Sequence, residues 1–254
     1  MHRPTTPTWS SGTSRPAPAL SYPAAVCFDV GNTLIYPDPP VPDVVREVLV
    51  EAGHLHDVDS IDRLMPLVDQ FYEERFRADD TFWTSEDRTS EVWVGMYALL
   101  CRELGIHEQA EVLARRVYDR FGQSSRWRPW DDVVPCLTRL RAAGVRTAVI
   151  SNWDGRLEGL LAGMGLGTLL DTVVCSAAVG LHKPDPRIFG LACERLGVAP
   201  SECVHVGDHY YSDYVGATAA GMGAVLIDRH GWIANPGTAP LIRTLGDLEA
   251  ALGA

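Results

Sequence analysis

One candidate nucleophile stands out near the start of the chain. Asp29 closes the apolar run AAVCFDV (24–30), and it is followed at once by Gly31, Asn32 and Thr33. A carboxylate in this position can attack an electrophilic centre covalently, and free backbone amides beside it can hold the anion that develops. Aspartate also closes strands simply as a turn former. Asp29 alone therefore leaves both interpretations open.

A hydroxyl, an amide and an ammonium follow later in the chain. Ser151 and Asn152 end the run VRTAVISN, where either ligands or ordinary loop caps would fit. Lys183 lies in the turn-rich segment GLHKPDP and is the only Lys among 22 Lys and Arg residues. A compact ammonium suits a phosphate or a crowded set of carboxylates. Because all the remaining Lys and Arg residues of the chain are Arg, we interpret Lys183 as a functional residue.

The segment VHVGDHYYSDYVGA adds two carboxylates, Asp208 and Asp213. A helix N-terminus favours acidic residues, but it accounts for one of these two and not for both. If they converge with Asp29, the three carboxylates repel one another unless a cation joins them. Mg²⁺ prefers oxygen ligands, so the sequence predicts a magnesium site.

Strands and helices alternate strictly over most of the chain. After the first apolar run, the runs VRTAVISN, TVVCSA, CVHVGD and AVLID each follow a helical pattern. This alternation with short links predicts an α/β fold, with a Rossmann-like doubly wound parallel sheet as its core. Open sheets of this kind bind ligands beyond the carboxyl ends of their strands. All the candidate residues above lie in such positions.

Residues 43–125 interrupt the alternation. Apolar residues near 3.6 spacing predict four helices with no strand between them, in VVREVLVEAG, SIDRLMPLVDQFYEERFRAD, TSEVWVGMYALLCRELG and EQAEVLARRVYDRFG. We expect a flexible tail at 1–22, an α/β core at 23–42 and 126–254, and an all-helical cap at 43–125. The segment RWRPW, where the chain returns to the core, is interpreted as a hinge with packed indoles rather than a nucleic-acid patch.

In this order and with these intervening elements, the four segments resemble the haloacid dehalogenase (HAD) superfamily over nearly all of residues 24–250. The resemblance assigns a motif residue to each segment, in chain order Asp29 as nucleophile, Ser151, Lys183, and the acidic pair Asp208 and Asp213 of a GD-x4-D motif. Most relatives with this helical cap are Mg²⁺-dependent phosphatases that work through an aspartyl-phosphate.

The resemblance also implies the ligand sets. The metal would be held by Asp29, by the backbone carbonyl of Gly31, and by the two acidic residues of the fourth motif, Asp208 and Asp213. The expected substrate contacts are Asn32, Thr33, Ser151, Asn152 and Lys183. The substrate itself is expected to be a small phosphorylated molecule.

One residue departs from the family pattern. In the phosphatases the position two after the nucleophile holds a second Asp, which protonates the leaving group and later activates water. Here it is Gly31, which has no side chain to exchange a proton. General acid–base catalysis contributes roughly a hundred- to ten-thousand-fold, so we expect slow hydrolysis unless the leaving group is good or another residue supplies the proton. Cap residues are candidates, as are His209, Tyr210 and Tyr211.

The same residues argue against other branches of the superfamily. Dehalogenases carry a Tyr at the position of Gly31 and a Ser- and Asn-rich last motif, whereas this chain keeps Asp208 and Asp213. Phosphonate-cleaving relatives need a cap lysine, and the only lysine, Lys183, belongs to the third motif. The chain therefore looks most similar to the branch that has lost the second Asp and kept the other motifs.

Two functions from different classes follow from these residues. The leading expectation is a HAD-like hydrolase, a Mg²⁺-dependent phosphatase with weakened acid–base catalysis. The alternative is a catalytically impaired HAD fold that acts as a binding or regulatory partner. Arg77, Trp83 and Arg88 are cap residues that could line the substrate side, although periodicity does not say which helix faces the core.

Composition excludes several partner classes. The chain has 33 Asp and Glu against 22 Lys and Arg, a net charge of −11, and an acidic surface repels nucleic acid and anionic membranes. The sequence has no stretch of about 18 or more apolar residues, and its first 22 residues lack the apolar region of a secretory signal. The six Cys form no CxxC pair. We expect a cytoplasmic protein, and the sequence does not indicate its oligomeric state.

Overall fold

A six-stranded parallel sheet forms the centre of the protein. The computed structural model describes residues 22–253, so the predicted tail at 1–22 lies outside the described residues except for Tyr22. The sheet strands are β1 Ala25–Phe28, β4 Arg146–Ser151, β5 Thr172–Cys175, β6 Cys203–Gly207, β7 Gly223–Ile227 and β8 Leu241–Ile242. Their spatial order is β5-β4-β1-β6-β7-β8, and every neighbouring pair is parallel.

Helices cover both faces of this sheet. They are α6 Val133–Ala142, α7 Leu157–Gly163, α8 Ser176–Val179, α9 Pro186–Leu196, α10 Gly216–Ala219 and α11 Leu248–Ala251. Along β1, Val26 and Phe28 belong to the hydrophobic cluster that includes α6, whereas Ala25 and Cys27 belong to the one that includes α9. Because successive side chains of a strand point to opposite faces, both faces of β1 are buried. The predicted Rossmann-like α/β fold is confirmed.

A helical segment, Val41–Arg120, separates two short strands, β2 Ile35–Pro37 and β3 Trp127–Pro129. Its helices are α1 Val41–Glu51, α2 Val58–Asp62, α3 Met65–Ala78, α4 Glu86–Glu103 and α5 Ala110–Arg120, with a 3₁₀ turn at Asp80–Thr84. These helices share a hydrophobic cluster of their own, built on residues such as Leu49, Leu100 and Leu113.

The prediction of a single helix over SIDRLMPLVDQFYEERFRAD was wrong. The chain forms two helices there, α2 and α3, with a break at Arg63 and Leu64. Pro66 lies in the first turn of α3, where its missing N–H has no intrahelical partner to lose. Apolar spacing runs on through the break, so periodicity alone does not reveal it.

The antiparallel ribbon formed by β2 and β3 was not predicted. It places the two passages of the chain between the helical segment and the sheet side by side, with Tyr36 opposite Arg128. The indoles of RWRPW pack as expected. Trp127 contacts both the helical cluster and a sheet cluster, and Trp130 lies 4.4 Å from the Tyr36 ring between centroids.

No helix within residues 22–253 is long and apolar enough to cross a membrane.

A buried arginine ties the loop after β1 to the rest of the core. Arg229, two residues beyond β7, donates from Nη2 to the carbonyl oxygen of Thr33 at 2.8 Å. It also donates to both carboxylate oxygens of Asp132, at 2.5 and 2.9 Å. Asp132 accepts a further bond from the Leu245 amide at 2.8 Å. The turn that follows Asp29 is thereby fixed against α6 and the C-terminal part of the fold.

We expect Arg229→Met to lower the free energy of unfolding by about 3 kcal/mol, because removing one member of a mostly buried pair leaves a charge uncompensated. The side chains of Arg229 and Asp132 are 4% and 23% exposed. Urea unfolding measures the loss. The matched control is Arg139→Met, which removes an exposed pair with Glu249 and should cost less than about 1 kcal/mol. Equal losses in the two variants would contradict this role for Arg229.

Candidate active site

The candidate residues meet at the carboxyl edge of the sheet. Asp29 follows β1, Ser151 is the last residue of β4, Lys183 lies before α9, and Asp208 follows β6. Asp213 lies in a π-helical turn, Tyr210–Val215. All five line one cavity of about 670 Å³, which extends from the sheet edge to the helical segment.

Two donors converge on one oxygen of Asp29. The hydroxyl of Ser151 donates to Asp29 Oδ1 at 2.9 Å, and the Lys183 ammonium donates to the same atom at 2.5 Å. The Asp29 amide donates to the carbonyl of Val206 at 2.8 Å, which fixes the backbone against β6. Among the described residues no side chain donates to Asp29 Oδ2. One carboxylate oxygen is thus held while the other is left free to react.

Lys183 bridges two carboxylates. Its Nζ donates to Asp213 Oδ1 at 2.6 Å as well as to Asp29, and the residue is 2% exposed. Burial alone would lower the pKa of this ammonium, but the charges of Asp213 and Asp29 outweigh burial and raise it. Lys183 therefore stays charged at any physiological pH.

The Lys183 backbone is held by Asn152. The Asn152 amide nitrogen donates to the Lys183 carbonyl at 2.9 Å, and the Lys183 amide donates to Asn152 Oδ1 at 2.7 Å. Asn152 was predicted to contact substrate. In this arrangement both ends of its side-chain amide already bind the loop that carries the lysine.

Asp213 accepts from three protein donors. Besides Lys183, the His205 ring donates from Nε2 to Oδ1 at 2.8 Å, and the His209 amide donates to Oδ2 at 2.9 Å. Although burial opposes ionisation, these partners lower the pKa of Asp213 well below its usual range. A Cβ at Gly207 would overlap the Asp213 carboxyl group, so only glycine permits this approach.

Sequence reasoning missed His205, a fully buried residue of β6. Two features of the sequence could have indicated it. His205 lies two residues before Gly207, and alternate strand positions share a face. It is also the polar residue in the otherwise apolar run CVHV, which could have suggested a buried hydrogen bond.

Asp208 is the least compensated carboxylate of the site. Burial first, and then the charges of Asp29 and Asp213, raise the pKa of Asp208 well above its ordinary value. Ligand oxygens of these three residues lie within 4.8 Å of one another. Close carboxylates whose ionisation is this costly form a donor set that a hard divalent cation fits.

The loop after Asp29 holds two predicted substrate ligands, Asn32 and Thr33. Asn32 lines the cavity, and its φ of 51° is tolerated by asparagine better than by most residues. The Thr33 side chain is fully buried and does not line the cavity. Direct contact between that side chain and substrate is therefore not supported by the geometry. The amides of Asn32 and Thr33 donate within the turn, to Ile35 and Val30.

Gly31 lies close to the indole of Trp153. A Cβ on Gly31 would lie 3.4 Å from that ring, an ordinary van der Waals contact. Of the proposed proton donors near the fourth motif, His209 lines the cavity, whereas Tyr210 and Tyr211 do not. The two tyrosines are about half exposed, at 48% and 49%.

The far wall of the cavity is aromatic. Of the three cap residues considered from sequence, only Trp83 lines it. Arg77 pairs with Glu73 on the exposed side of α3, and Arg88 pairs with Asp79. The rings that line the cavity include those of Tyr72, Phe76, Trp83, Trp93, Trp127 and Trp153.

A second buried pair borders the cavity. Arg156 donates to both carboxylate oxygens of Asp154, from Nε at 2.8 Å and from Nη2 at 2.6 Å. Its Nη1 donates to the Tyr118 carbonyl at 2.6 Å, and its guanidinium lies 3.6 Å from the Tyr118 ring centroid. Asp154 and Arg156 are two residues apart in the loop after β4, so their pairing is local. Only the contacts of Arg156 with Tyr118 of α5 depend on packing between distant segments, and the sequence did not indicate them.

Comparison with known proteins agrees with this architecture. Residues 23–221 match the family model described as haloacid dehalogenase-like hydrolase. The chain is 35% identical over 207 residues to haloacid dehalogenase-like hydrolase domain-containing protein 3 of Mus musculus, covering 79% of this chain and 80% of that protein. The match to its Danio rerio counterpart covers 66% of that protein.

Phosphatases occur among the relatives and the solved structures. Glyceraldehyde 3-phosphate phosphatase of Methanopyrus kandleri is 31% identical over 211 residues, which are 81% of this chain and 84% of that protein. The crystal structure of a HAD phosphatase from Thermococcus onnurineus superposes with a TM-score of 0.62 at 26% identity. The superposition covers 90% of this chain and 97% of the phosphatase chain.

The raised pKa of Asp208 gives a prediction about stability without metal. Its ionised form is disfavoured in the folded state, so this carboxylate costs stability as the pH rises above about 4, the ordinary carboxyl pKa. We expect Asp208→Asn to raise the melting temperature by about 3 °C or more at pH 7 in chelator. The gain should shrink as the pH falls towards 4. Calorimetry at several pH values measures it.

The control is a carboxylate with the opposite shift. Asp228 accepts from the amides of Gly231, Trp232 and Ile233, and although burial opposes ionisation, these bonds lower the pKa of Asp228. Asp228→Asn should therefore lower the melting temperature at pH 7. If both variants destabilise the metal-free protein, Asp208 does not carry the repulsion inferred here.

Proposed function

Because the chain belongs to the haloacid dehalogenase-like hydrolase family, we propose that this hydrolase is a Mg²⁺-dependent phosphatase of a small phosphorylated compound, with Asp29 as its nucleophile. The observation that carries the proposal is the convergence of Ser151 and Lys183 on Asp29 Oδ1. Asp29 Oδ2 is then held in a fixed orientation, accepts no side-chain hydrogen bond from the described residues, and lies in a cluster with the carboxylates of Asp208 and Asp213. The phosphatases among the relatives support the same reaction class.

In the first step Asp29 Oδ2 attacks phosphorus in line, and the bond from phosphorus to the leaving oxygen breaks with its electron pair. The product is an aspartyl-phosphate and an alcohol, whose oxygen takes a proton from solvent because Gly31 offers none. Water then attacks phosphorus, releasing phosphate and restoring the carboxylate. Ser151 and Lys183 hold Asp29 in place and stabilise the transferring phosphoryl group.

Three groups are proposed to hold Mg²⁺, namely Asp29, Asp208 and the Gly31 carbonyl. When bound, Mg²⁺ supplies charge neutralisation to the carboxylates and to the phosphoryl oxygens. Asp213, the fourth predicted ligand, already accepts from Lys183, His205 and the His209 amide. We therefore assign Asp213 chiefly to holding the lysine, with Asn152 as its partner in that task.

We further propose that the helical segment is the cap of the active site. Its α3, α4 and the 3₁₀ turn between them contribute the aromatic wall opposite Asp29. A wall of this kind excludes water from the phosphoryl transfer and contacts the leaving group. The predicted core at 23–42 and 126–254 then supplies the reacting groups, and the cap at 43–125 supplies selectivity.

The absence of an acid at Gly31 favours one alternative, a binding or regulatory protein that has lost turnover. The acidic site would then still bind Mg²⁺ and a phosphate mimic such as beryllofluoride, but no phosphate ester would be hydrolysed. Isothermal titration with the mimic, beside the activity assay below, separates this alternative from the enzyme.

Covalent catalysis by Asp29 is tested by phosphate release from an aryl phosphate with Mg²⁺ or with chelator. Asp29→Asn should reduce the rate by about a thousandfold or more, because the amide is not a nucleophile. Chelation should have a comparable effect on the wild type. The matched control is Asp131→Asn at an exposed position, which should leave the rate unchanged. Equal rates for wild type and Asp29→Asn would rule out the covalent mechanism.

The missing acid can be restored by a single substitution. A Cβ on Gly31 would lie 3.4 Å from the Trp153 ring, an ordinary van der Waals contact, so the position has room for a side chain. Gly31→Asp should raise kcat for an alkyl phosphate by about a hundredfold, the lower end of general acid–base effects. Gly31→Asn, which has the same shape but no acid, is the control. An equal kcat for Gly31→Asp and Gly31→Asn would mean that an acid at this position does not limit turnover.

A further inference from the structure

We propose that the natural substrate is the phosphate ester of an aromatic alcohol, whose ring lies among the aromatic side chains of the cavity and whose leaving oxygen is phenolic. This inference rests on the proposed phosphatase function and specifies its substrate class. Two independent features carry it: the composition of the cavity wall and the lack of a proton donor at Gly31.

Four aromatic side chains of the helical segment, Tyr72, Phe76, Trp83 and Trp93, line the cavity that contains Asp29. Tyr72 is at the centre of this group, with ring centroids 6.0 Å from Phe76, 6.2 Å from Trp93 and 6.4 Å from Trp83. Its plane is within 25° of Phe76 and 24° of Trp93. Aromatic rings at these separations bind a further ring by offset or edge-to-face contact. Burial raises the pKa of Tyr72 to about 12, so its hydroxyl remains neutral.

The cavity has no free cation for a second anionic group. Within residues 22–253 the Lys and Arg side chains that line it are Lys183 and Arg156. Lys183 is held between Asp29 and Asp213, and Arg156 is held by Asp154 and the Tyr118 carbonyl. A carboxylate or a second phosphate on the leaving group would be buried without a partner, which is costly.

Two acidic residues, Asp69 and Glu73, strengthen this exclusion. Both are exposed residues of α3 that border the cavity. An anionic leaving group would therefore meet carboxylates at this side of the cavity, of which Glu73 is paired with the exposed Arg77. An uncharged or cationic aromatic leaving group avoids both this repulsion and the burial of an unpaired anion.

The chemistry of Gly31 selects the same class. With no general acid at Gly31, a leaving oxygen that can depart as an anion and take its proton from solvent is favoured. The hydroxyl group of a phenol has a pKa of about 10. The pKa of an aliphatic alcohol is closer to that of water, about 15.7. In the balanced step the Asp29 Oδ2–phosphorus bond forms and the phosphorus–aryl oxygen bond breaks, giving aspartyl-phosphate and a phenolate. The phenolate needs no acid from the protein.

The size of the cavity agrees with this ligand. Its volume of about 670 Å³ lies within the usual range for sites that enclose a drug-sized molecule. A three-carbon phosphate would leave much of the aromatic wall without contact.

Four phosphorylated compounds, three esters and one acyl phosphate, test ring binding and leaving-group chemistry separately in the presence of Mg²⁺. They are 2-naphthyl phosphate, 2-naphthylmethyl phosphate, acetyl phosphate and glycerol 3-phosphate, which combine an aromatic or a small group with a good or a poor leaving oxygen. We expect KM to be at least tenfold lower for 2-naphthyl phosphate than for acetyl phosphate. We expect kcat to be about a hundredfold higher for 2-naphthyl than for 2-naphthylmethyl phosphate.

Variants on a single helix locate the ring site. Tyr72→Leu keeps bulk but removes the ring, and it should lower the ratio of kcat/KM for 2-naphthyl over acetyl phosphate by about tenfold. Phe71→Leu is the matched control, because Phe71 is the neighbouring aromatic of α3 and lines a separate small cavity with Arg75 and Gly95. If thermal melting reveals that Tyr72→Leu is unfolded, Trp93→Leu takes its place.

The outcomes separate this inference from the function on which it rests. Hydrolysis of all four compounds with similar KM, or a ratio lowered equally by Tyr72→Leu and Phe71→Leu, overturns the aromatic site and leaves the phosphatase intact. If none of them is hydrolysed, the proposed function fails. Calorimetric binding of 2-naphthyl phosphate and acetyl phosphate then decides the inference, which requires the aromatic ester to bind at least tenfold more tightly.

Discussion

The ammonium of Lys183 lies between the carboxylates of Asp29 and Asp213, and the arrangement of the sheet edge depends on this contact. A lysine buried to this degree would lose its proton without such partners, and two buried carboxylates would not both ionise without such a cation. The contact joins the loop after β1, the loop before α9 and the turn after β6. Ser151 and Asn152 add the end of β4. Four separate elements are thereby held by one set of charges.

The same contact leaves the site with unbalanced charge. Three carboxylates, Asp29, Asp208 and Asp213, face a single lysine, and the imbalance falls on Asp208, whose pKa rises because of burial and the two neighbouring charges. Two residues of β6 keep Asp213 in this arrangement. Gly207 has no side chain that would overlap the Asp213 carboxyl group, and the His205 ring donates a hydrogen bond to that group. The proposed Mg²⁺ would offset this excess of negative charge.

The sequence indicated which candidate site residues would lie together, because each of them follows a recognisable strand or precedes a helix. Parallel strands bring those positions to one edge, so Asp29, Ser151 and Asp208 could be placed together without a structure. Contacts that form only by packing between distant segments could not be placed in this way. The contacts of Arg156 with Tyr118 and of Trp153 with Gly31 are of this kind. The break between α2 and α3 was missed because the apolar spacing continues through it. The Thr33 side chain was assigned to substrate on motif position alone, whereas its direction is set by the turn that buries it.

The ribbon of β2 and β3 has a consequence for how such a protein can change over evolutionary time. Both ends of the helical segment leave the sheet on paired, adjacent strands, so an insert of another length can begin and end at the same two points. The chain entropy lost on closing the chain between these two adjacent points grows only slowly with the length of the insert. Mutation can thus rebuild the aromatic wall, or exchange the whole segment, while the register of the parallel strands and the charges on Lys183 stay as they are. With the proposed division between cap and core, specificity and chemistry would be able to evolve separately within one chain.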